Sequence, residues 1–292
     1  MANLIRQWLG LAPQLTEAGT FSPSPVSLRL ATRSRTDYDG TDFPNAYQGD
    51  RWKVLMVCTE EGQMTMRNGR RFATGNHPVE MLVPVLHLTK AGFTIDVCTP
   101  TGRPVQVEQW AQPREDEAVQ NIYRQFLPRF ENPLDLRELV QNSLTDDSPY
   151  LAVFIPGGHG AMLGLPENED VGRLLRWVQE EDRYLLAICH GPAALLAADQ
   201  HGDSPFRGYS IAAFPDLMDK ITPWLGYLPG SMPWFFNEKL QARGIRIVNR
   251  LANGACHRDR RLVSGDSPDA ANSFGKLAAT TLLEAVEQAG QG

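Results

Sequence analysis

The sequence predicts an α/β fold, an open and mostly parallel sheet with helices on both faces. Short apolar runs of strand length alternate with longer segments of helical periodicity, an order that is typical of parallel βαβ units. The apolar runs are nearly continuous, as strands buried on both faces require. Two glycine-containing motifs directly follow such runs, at the carboxyl ends of the strands, where ligands bind in open α/β sheets.

The elements can be placed in chain order by these patterns. Strands are predicted at residues 53–58, 93–98, 151–155, 184–188, 245–248 and 261–264. Helices are predicted near residues 79–91, 117–126, 135–141, 171–181, 192–198 and 270–288.

Changes in local amino-acid composition along the chain predict how these elements are organised. Residues 1–50 are rich in Pro, Ser, Thr and Asp, which predicts an N-terminal extension of loops and turns that wraps over the body. Residues 51–292 form the α/β domain. Its polar segment near 102–149 interrupts the alternation and predicts an inserted, helical subdomain.

Composition and charge exclude several classes of protein. Of the 292 residues, 42% are hydrophobic and 21% charged, so the chain is globular rather than disordered. The net charge of −6 argues against a chain-wide basic surface, so we expect no specific nucleic-acid binding. No apolar run approaches the roughly 18 residues of a membrane span, and the N-terminus lacks a secretion-signal pattern. Four cysteines without CxxC spacing exclude a disulfide scaffold and predict a cytoplasmic protein.

Cys189 is the candidate nucleophile. It lies where a predicted strand ends, and Gly191 and Pro192 follow at a sharp turn into an apolar helix. The N–H groups at the start of that helix predict a lowered pKa for the Cys189 thiol. The alternative is a buried structural cysteine, the role we expect for Cys58 and Cys98. That alternative leaves the adjacent histidine and the Gly-Pro turn unexplained.

A histidine and an aspartate are candidates for proton transfer from this thiol. His190 is either a general base or a residue that contributes only its backbone N–H. An acid that orients the imidazole ring favours the catalytic interpretation, and Asp216 and Asp219 both qualify. The residue pattern does not choose between them.

Glycines and one glutamate add to the predicted site. Gly157 and Gly158 allow the backbone to approach a ligand and aim N–H groups at it, which predicts an oxyanion hole beside Cys189. The spacing matches neither nucleotide-binding fingerprint. Glu80 lies in the first turn of a predicted helix, where it is either an ordinary carboxylate or a desolvated one with a raised pKa.

Five motifs resemble the PfpI-type (DJ/PfpI) superfamily, within it the branch of the bacterial 31-kDa heat-shock chaperone, also described as glyoxalase III and protein deglycase. The resemblance runs from about residue 38 to 279. It implies a flavodoxin-like core, a small extra subdomain and a homodimer. The motifs lie at residues 74–80, 154–160, 188–194, 213–216 and 265–268.

The resemblance also implies roles for individual residues. Cys189 is then the nucleophile, His190 and Asp219 complete its triad, and Glu80 is the carboxyl group next to the sulfur. The N–H groups of Gly158 and His190 would bind an oxyanion.

The activity implied is that of a glutathione-independent glyoxalase III and deglycase, without an organic cofactor. Its substrates are methylglyoxal, glyoxal and their early adducts on Arg, Lys and Cys side chains or on nucleobases. Two alternatives remain open: a cysteine-dependent amide or peptide hydrolase, and a non-catalytic chaperone that binds unfolded proteins. The chaperone needs an exposed apolar surface, but the residues that would supply it are more often packed in a core. They are Trp224, Leu225, Trp234, Phe235 and Phe236.

We expect purified protein to carry no stoichiometric zinc. Relatives in this branch bind a metal through two histidines and a glutamate, and the aligned positions here are Thr89, Thr94 and Phe126, with His87 alone nearby. Thr is a poor zinc ligand and Phe is none. Elemental analysis should find no zinc, and chelator treatment should leave the melting temperature and activity unchanged. Tightly bound zinc with ligands in these segments would show the alignment to be wrong.

Overall fold

The computed structural model describes residues 8–201 and 203–289. Its strands are β1 (Gln14–Leu15), β2 (Phe21–Ser22), β3 (Lys53–Val57), β4 (Gln63–Thr65), β5 (Arg71–Ala73), β6 (Thr94–Thr99), β7 (Leu134–Asp135), β8 (Tyr150–Ile155), β9 (Tyr184–Ile188), β10 (Ser210–Ile211), β11 (Arg246–Ile247), β12 (Cys256–Asp259) and β13 (Leu262–Gly265). Its α-helices are α1 (Pro25–Ala31), α2 (Pro78–Lys90), α3 (Glu117–Glu131), α4 (Leu136–Asn142), α5 (Glu169–Glu180), α6 (Asp216–Ile221), α7 (Phe236–Ala242) and α8 (Ala271–Ala289). Shorter 3₁₀ helices lie at Gln109–Ala111, His159–Met162, Gly191–His201 and Pro268–Ala270.

The central sheet has the strand order β12-β13-β9-β8-β3-β6-β7. Its neighbouring strands are parallel, except for the antiparallel pair β12 and β13. β3 lies between β8 and β6 and is parallel to both, so the carboxyl ends of these strands meet at one edge. The mostly parallel α/β sheet predicted from the sequence is confirmed.

Successive residues of β3 point alternately into two apolar cores, one on each face of the sheet. Leu55 and Val57 belong to the core that includes α5 and the 3₁₀ helix Gly191–His201. Val54 and Met56 belong to the core that includes α2 and α8. Burial on both faces explains why the strands read as continuous apolar runs. Among the described residues, no helix has the length and apolar character needed to cross a bilayer.

Two predicted elements differ from the structure. The strand predicted at 245–248 is reduced to β11, which pairs with β10 in a separate two-stranded sheet, because periodicity does not show which partner a strand finds. The segment predicted as a helix at 192–198 is the 3₁₀ helix Gly191–His201. The sequence also did not predict the small sheet β1-β2-β5-β4, whose strands of two or three residues are too short to show alternation.

The described part of the predicted N-terminal extension lies against the body; its first seven residues lie outside the described residues. The Tyr47 N–H donates to the Ala91 carbonyl at 2.8 Å, and Asp39 forms an ion pair with Lys276 at 2.6 Å. The domain boundary at residue 50 stays a prediction.

The predicted inserted segment shares both cores of the domain. Phe126 and Phe130 of α3 lie in the core that contains α2, whereas Leu136 of α4 lies in the other core. β7 extends the central sheet beside β6, where Leu134 pairs with Cys98. That the segment forms a subdomain of its own stays a prediction.

Asp116 joins the N-terminal extension to α3. We expect Asp116→Ala to destabilise the start of α3 and to detach the extension from it. One carboxyl oxygen caps α3 by accepting from the Val119 N–H at 3.1 Å. The other accepts from the N–H and the hydroxyl of Thr36 at 2.9 and 2.5 Å. Loss of an N-cap costs about 1 kcal/mol, so the melting temperature should fall, and a protease should cleave the extension faster.

The matched control is Asp135→Ala, which removes the cap of α4 at the Arg137 N–H, a bond of 2.8 Å. It should lower stability by a similar amount and leave cleavage of the extension unchanged. Equal cleavage rates in the two variants would contradict an anchoring role for Asp116.

Candidate active site

A strained turn at the end of β9 presents Cys189 to the cleft. Cys189 adopts φ of 60°, a left-handed conformation that non-glycine residues rarely adopt. Its N–H donates to the Gly265 carbonyl at 2.8 Å, and its carbonyl accepts from the Phe214 N–H at 2.9 Å. A Cβ atom on Gly191 would lie 2.5 Å from the Ile155 carbonyl oxygen, so only glycine fits after the turn. These contacts hold the strand-to-helix elbow that the Gly-Pro pair predicted.

The structure brings Cys189, His190 and Asp219 into one hydrogen-bonded chain. The Cys189 Sγ lies 3.2 Å from His190 Nδ1, and His190 Nε2 lies 2.9 Å from Asp219 Oδ2. Asp216 instead accepts from the Asn237 N–H at 3.2 Å, at the start of α7. The geometry therefore favours Asp219 over Asp216 as the partner of His190, and the catalytic roles stay predictions.

His159 is a member of this network that sequence reasoning did not single out. Its Nε2 lies 3.0 Å from Asp219 Oδ1, the carboxylate oxygen that His190 does not use. The rings of His159 and His190 have centroids 4.2 Å apart. The only available signal was its position between the glycines of the motif at 154–160.

Glu108 is the second residue that the sequence did not reveal. Its Oε1 accepts from the Thr74 hydroxyl at 2.8 Å and from the His159 N–H at 3.3 Å. Burial raises the pKa of Glu108 to about 7, although His159 and Thr74 oppose this shift. It lies in a polar stretch of the predicted inserted segment and reaches the site because its N–H donates to the Asn76 carbonyl.

The loop that carries Gly157 and Gly158 packs tightly against the turn before α2. The Gly157 carbonyl accepts from the His77 N–H at 2.9 Å. Gly158 has φ of 100°, and a Cβ atom there would lie 2.3 Å from the Gly75 carbonyl oxygen. Gly158 is thus required by the close approach of two backbone segments, and Gly157 by the closeness of the Glu80 and Cys189 side chains. The oxyanion role of Gly158 and His190 stays a prediction.

This packing places Glu80 beside the sulfur. Glu80 is fully buried in the first turn of α2, and a Cβ atom on Gly157 would lie 2.1 Å from its Oε2 and 2.7 Å from the Cys189 Cβ. Neither carboxyl oxygen has a hydrogen bond of regular geometry. Burial raises the pKa of Glu80 to about 8, while the nearby Cys189 thiol and Gly158 N–H lower it. Glu80 is therefore mostly protonated at neutral pH. Of the two possibilities that the sequence left open, this favours a desolvated carboxyl group over an ordinary carboxylate.

The lowered thiol pKa predicted for Cys189 is wrong. Burial raises this pKa well above its ordinary value, and the charges of Glu80 and Asp219 raise it further, whereas the Gly158 N–H lowers it. The elbow leaves only 4% of Cys189 exposed, and desolvation disfavours the thiolate. The segment that follows is a 3₁₀ helix rather than the α-helix on which the prediction depended.

The residues aligned with the relatives' metal site lie apart from this network. Thr89 and Thr94 are exposed, and Phe126 packs against Phe130 in the core. His87 Nε2 lies 2.7 Å from Asn272 Oδ1. His159, His190 and Asp219 offer donor atoms within 4.8 Å of one another, but a metal would have to break both of their hydrogen bonds.

A cavity of about 350 Å³ lies above the sulfur. Glu80, Glu108 and His159 line it together with Cys189. The N-terminal extension supplies part of its wall, between residues 27 and 37. The volume lies within the range of small-molecule sites in proteins, roughly 300–1,000 Å³.

A model of the DJ-1/PfpI family matches residues 72–281. The chain belongs to the DJ-1/PfpI family. It is 50% identical over 277 residues to the protein/nucleic acid deglycase HchA of Pseudomonas aeruginosa strain UCBPP-PA14, covering 94% of this chain and 95% of that protein. It is 47% identical over 271 residues to the protein of the same name from Escherichia coli O1:K1, covering 93% and 95%.

A solved structure supports the fold. Glyoxalase III from Candida albicans matches with a TM-score of 0.62 at 22% identity, covering 78% of this chain and 97% of that chain. The family resemblance that the five motifs indicated is confirmed.

We expect Glu80→Gln to remove a pH dependence of stability. A carboxyl whose pKa rises from 4.5 to about 8 on folding binds its proton more tightly in the folded state. Its stabilising contribution is fully present below pH 4.5 and is lost as the pH rises through about 8. Between these limits, the unfolding free energy of the wild type should fall relative to Glu80→Gln by an amount on the order of a few kcal/mol.

Urea unfolding of both proteins at several pH values measures this difference. The control is Glu138→Gln, which replaces an exposed glutamate in the first turn of α4 and so reports the effect of the helix dipole alone. A difference between wild type and Glu80→Gln that does not vary with pH would contradict the buried, protonated state.

Proposed function

We propose that this DJ-1/PfpI protein is a cysteine-dependent deglycase and glutathione-independent glyoxalase. Its substrates are methylglyoxal, glyoxal and their early adducts on side chains and nucleobases. The observation that carries the proposal is the environment of Cys189, a thiol on a strained elbow with His190 within 3.2 Å and a protonated carboxyl group beside it. The name of the relatives, protein/nucleic acid deglycase, supports the substrate class.

The first step is addition of the thiol to the aldehyde carbon. The sulfur–carbon bond forms as the carbonyl π bond breaks, and His190 Nδ1 accepts the thiol proton. Oxygen becomes the oxyanion of a hemithioacetal, which the N–H groups of Gly158 and His190 stabilise. Glu80 then donates its proton to this oxygen.

Proton transfer between the two former carbonyl carbons completes the redox-neutral rearrangement. The Glu80 carboxylate removes the proton from the carbon that bears sulfur, and protonated His190 gives the thiol proton to the neighbouring carbonyl oxygen, which gives an enediol. Glu80 returns its proton to the neighbouring carbon, and His190 accepts the proton of the hydroxyl group on the sulfur-bearing carbon, which yields a thioester of lactate. Water hydrolyses the thioester and returns the thiol, so no organic cofactor takes part.

An early adduct on an amine reaches the same hemithioacetal when sulfur replaces nitrogen at one carbon. The thiol sulfur bonds to the carbon that carries the hydroxyl and nitrogen, and the carbon–nitrogen bond breaks. The nitrogen leaves with the proton that His190 took from the thiol. The repaired amine and the hemithioacetal together contain every atom of the adduct and the thiol.

The proposal also includes the cellular compartment and the oligomeric state of the enzyme. We assign it to the cytoplasm because its four cysteines are free, and a buried catalytic thiol functions in a reducing compartment. We also infer a homodimer, as the family resemblance implies.

A chaperone function is the second candidate, and one observation favours it. The sequence favours packing roles for these apolar residues, yet Trp224 and Leu225 are 79% and 52% exposed. Phe236 is buried, as expected. Trp234 and Phe235 are half-buried. Exposed apolar surface can bind unfolded protein without the thiol. Suppression of aggregation by Cys189→Ser at the wild-type level would establish this activity beside the enzymatic one.

Lactate formation from methylglyoxal without glutathione tests the enzymatic proposal. We expect Cys189→Ser to abolish it, and Glu80→Gln to lower turnover by about 10²–10⁴-fold, the usual contribution of a general acid–base group. Both variants should remain folded, as judged by circular dichroism.

The matched control is Cys256→Ser, a half-buried cysteine that does not line the cavity, and it should keep wild-type turnover. No lactate from the wild type would reject the glyoxalase. Cleavage of an amide substrate, dependent on Cys189, would then favour the hydrolase.

A further inference from the structure

Glu108 has a hydrogen-bond acceptor that the rest of the protein does not use. Glu108 lines the cavity above the sulfur and is 1% exposed. Its Oε1 accepts from the Thr74 hydroxyl and from the His159 N–H, whereas its Oε2 has no hydrogen-bond partner among the described residues. A buried acceptor without a partner is unfavourable, so a donor on a bound molecule would stabilise it. The proposed mechanism gives Glu108 no role.

His77 provides a second unused acceptor in the lining of the same cavity. Its Nδ1 also lacks a partner within the described part of the chain, and the residue is 6% exposed. Burial, His159 and His190 lower the pKa of His77 to about 3, so its ring is neutral and one ring nitrogen is an acceptor. The Glu108 N–H donates at 3.0 Å to the carbonyl of Asn76, the residue before His77. The two acceptors therefore suit a ligand group with several N–H donors.

The buried carboxyl groups of the cavity favour a cation as that ligand group. They belong to Glu80, Glu108 and Asp219. The arginines that line the cavity within the described residues, Arg33 and Arg35, have side chains that are 70% and 74% exposed. Asp219 contacts a histidine nitrogen with each oxygen, and Glu80 lies beside the sulfur. Glu108 is therefore the buried carboxyl group with an oxygen left for a part of the substrate that does not react.

We propose that Glu108 is a substrate-binding residue that accepts an N–H from the cationic nitrogen group of a glycated side chain, a guanidinium or an ammonium group. Early adducts on Arg and Lys are then the preferred substrate class of this site. The inference rests on the proposed function. Methylglyoxal has no N–H group, and an adduct on a thiol has none at the carbon that reacts.

The charge of the nitrogen group persists through the proposed exchange. In an arginine adduct, the sulfur–carbon bond forms, the carbon–nitrogen bond breaks and the thiol proton passes to nitrogen, so a guanidinium cation enters and a guanidinium cation leaves. A lysine adduct follows the same balance with an ammonium cation. Glu108 can therefore bind the same charge in substrate and product. The cavity of about 350 Å³ is larger than the three-carbon methylglyoxal requires, and Tyr227 in its lining supplies an aromatic ring, a group that attracts cations.

Binding of the nitrogen group alone tests this subsite without any aldehyde. Methylguanidinium and methylammonium carry the two candidate groups, and methylurea is an uncharged counterpart of methylguanidinium. By NMR titration, we expect at least one cation to bind the wild type more tightly than methylurea does. Glu108→Gln should weaken that binding at least about tenfold, since it keeps the size of the side chain and removes its charge. The cation that loses affinity identifies Arg or Lys as the source. Equal binding by both proteins, or by methylurea and both cations, would overturn the proposal.

Turnover of matched adducts provides the second test. The adducts of methylglyoxal on N-acetylarginine and N-acetyllysine contain the nitrogen group, whereas the adduct on N-acetylcysteine undergoes the same attack without it. Glu108→Gln should lower kcat/KM at least about tenfold for one or both nitrogen adducts and leave the thiol adduct nearly unchanged. A structural role for Glu108 would instead lower kcat/KM equally for all three adducts. That result, or no change for any of them, contradicts the inference.

The matched control is Glu60→Gln, which changes a buried glutamate that binds Arg103 and does not line the cavity. It should keep the wild-type affinity for the cations and the wild-type ranking of the adducts. Carboxyl-carbon NMR of the wild type needs no variant. The Glu108 resonance should shift with the bound cation and not with methylurea, and a resonance that does not move would also overturn the proposal. Absence of lactate and of adduct cleavage would reject the proposed function, but the binding measurements would still decide whether the subsite exists.

Discussion

The close approach of two backbone segments at the carboxyl edge of the sheet is the constraint on which the site depends. The turn before α2 and the loop after β8 lie so close that a Cβ atom on Gly158 or Gly160 would clash with the backbone of Gly75. This contact brings Glu80 from one βαβ unit next to Cys189 from another. A methyl group on Gly157 would clash with the Glu80 carboxyl oxygen. A substitution that changes the packing at Gly157 therefore also displaces the carboxyl group beside the sulfur.

Burial then determines what those groups can do. Water would solvate a carboxylate and a thiolate, but both groups are buried here, and both pKa values rise. Asp219 is the exception because two histidines share its charge, which holds its pKa well below the ordinary range despite burial. The negative charge of Asp219 therefore coexists with two neutral acids, Glu80 and Cys189, in one buried site.

Sequence reasoning predicted the fold, which is confirmed, and most of the residues that the structure brings together at the candidate site, since strand ends and glycine turns leave clear local patterns. Cys189, His190 and Glu80 could be found in this way, and the choice of Asp219 over Asp216 needed the family resemblance. Glu108 gave no such signal, because it joins the site through a backbone contact with Asn76 that is distant in sequence. The direction of the pKa shift of Cys189 was wrong for a related reason. A helix start is visible in a sequence, but the depth of burial that raises this pKa is not.

In the proposed mechanism, the protonation states of the resting site determine the order of the proton transfers. At neutral pH the thiol and Glu80 hold protons, and His190 Nδ1 faces the sulfur. Addition to an aldehyde needs an acceptor for the thiol proton and a donor for the new oxyanion. His190 is the only one of the two carriers placed to accept, and Glu80 is the one that has a proton to give. Once it has given that proton, a carboxylate with a pKa of about 8 is a far stronger base than an ordinary glutamate, which suits it to the proposed removal of the carbon-bound proton.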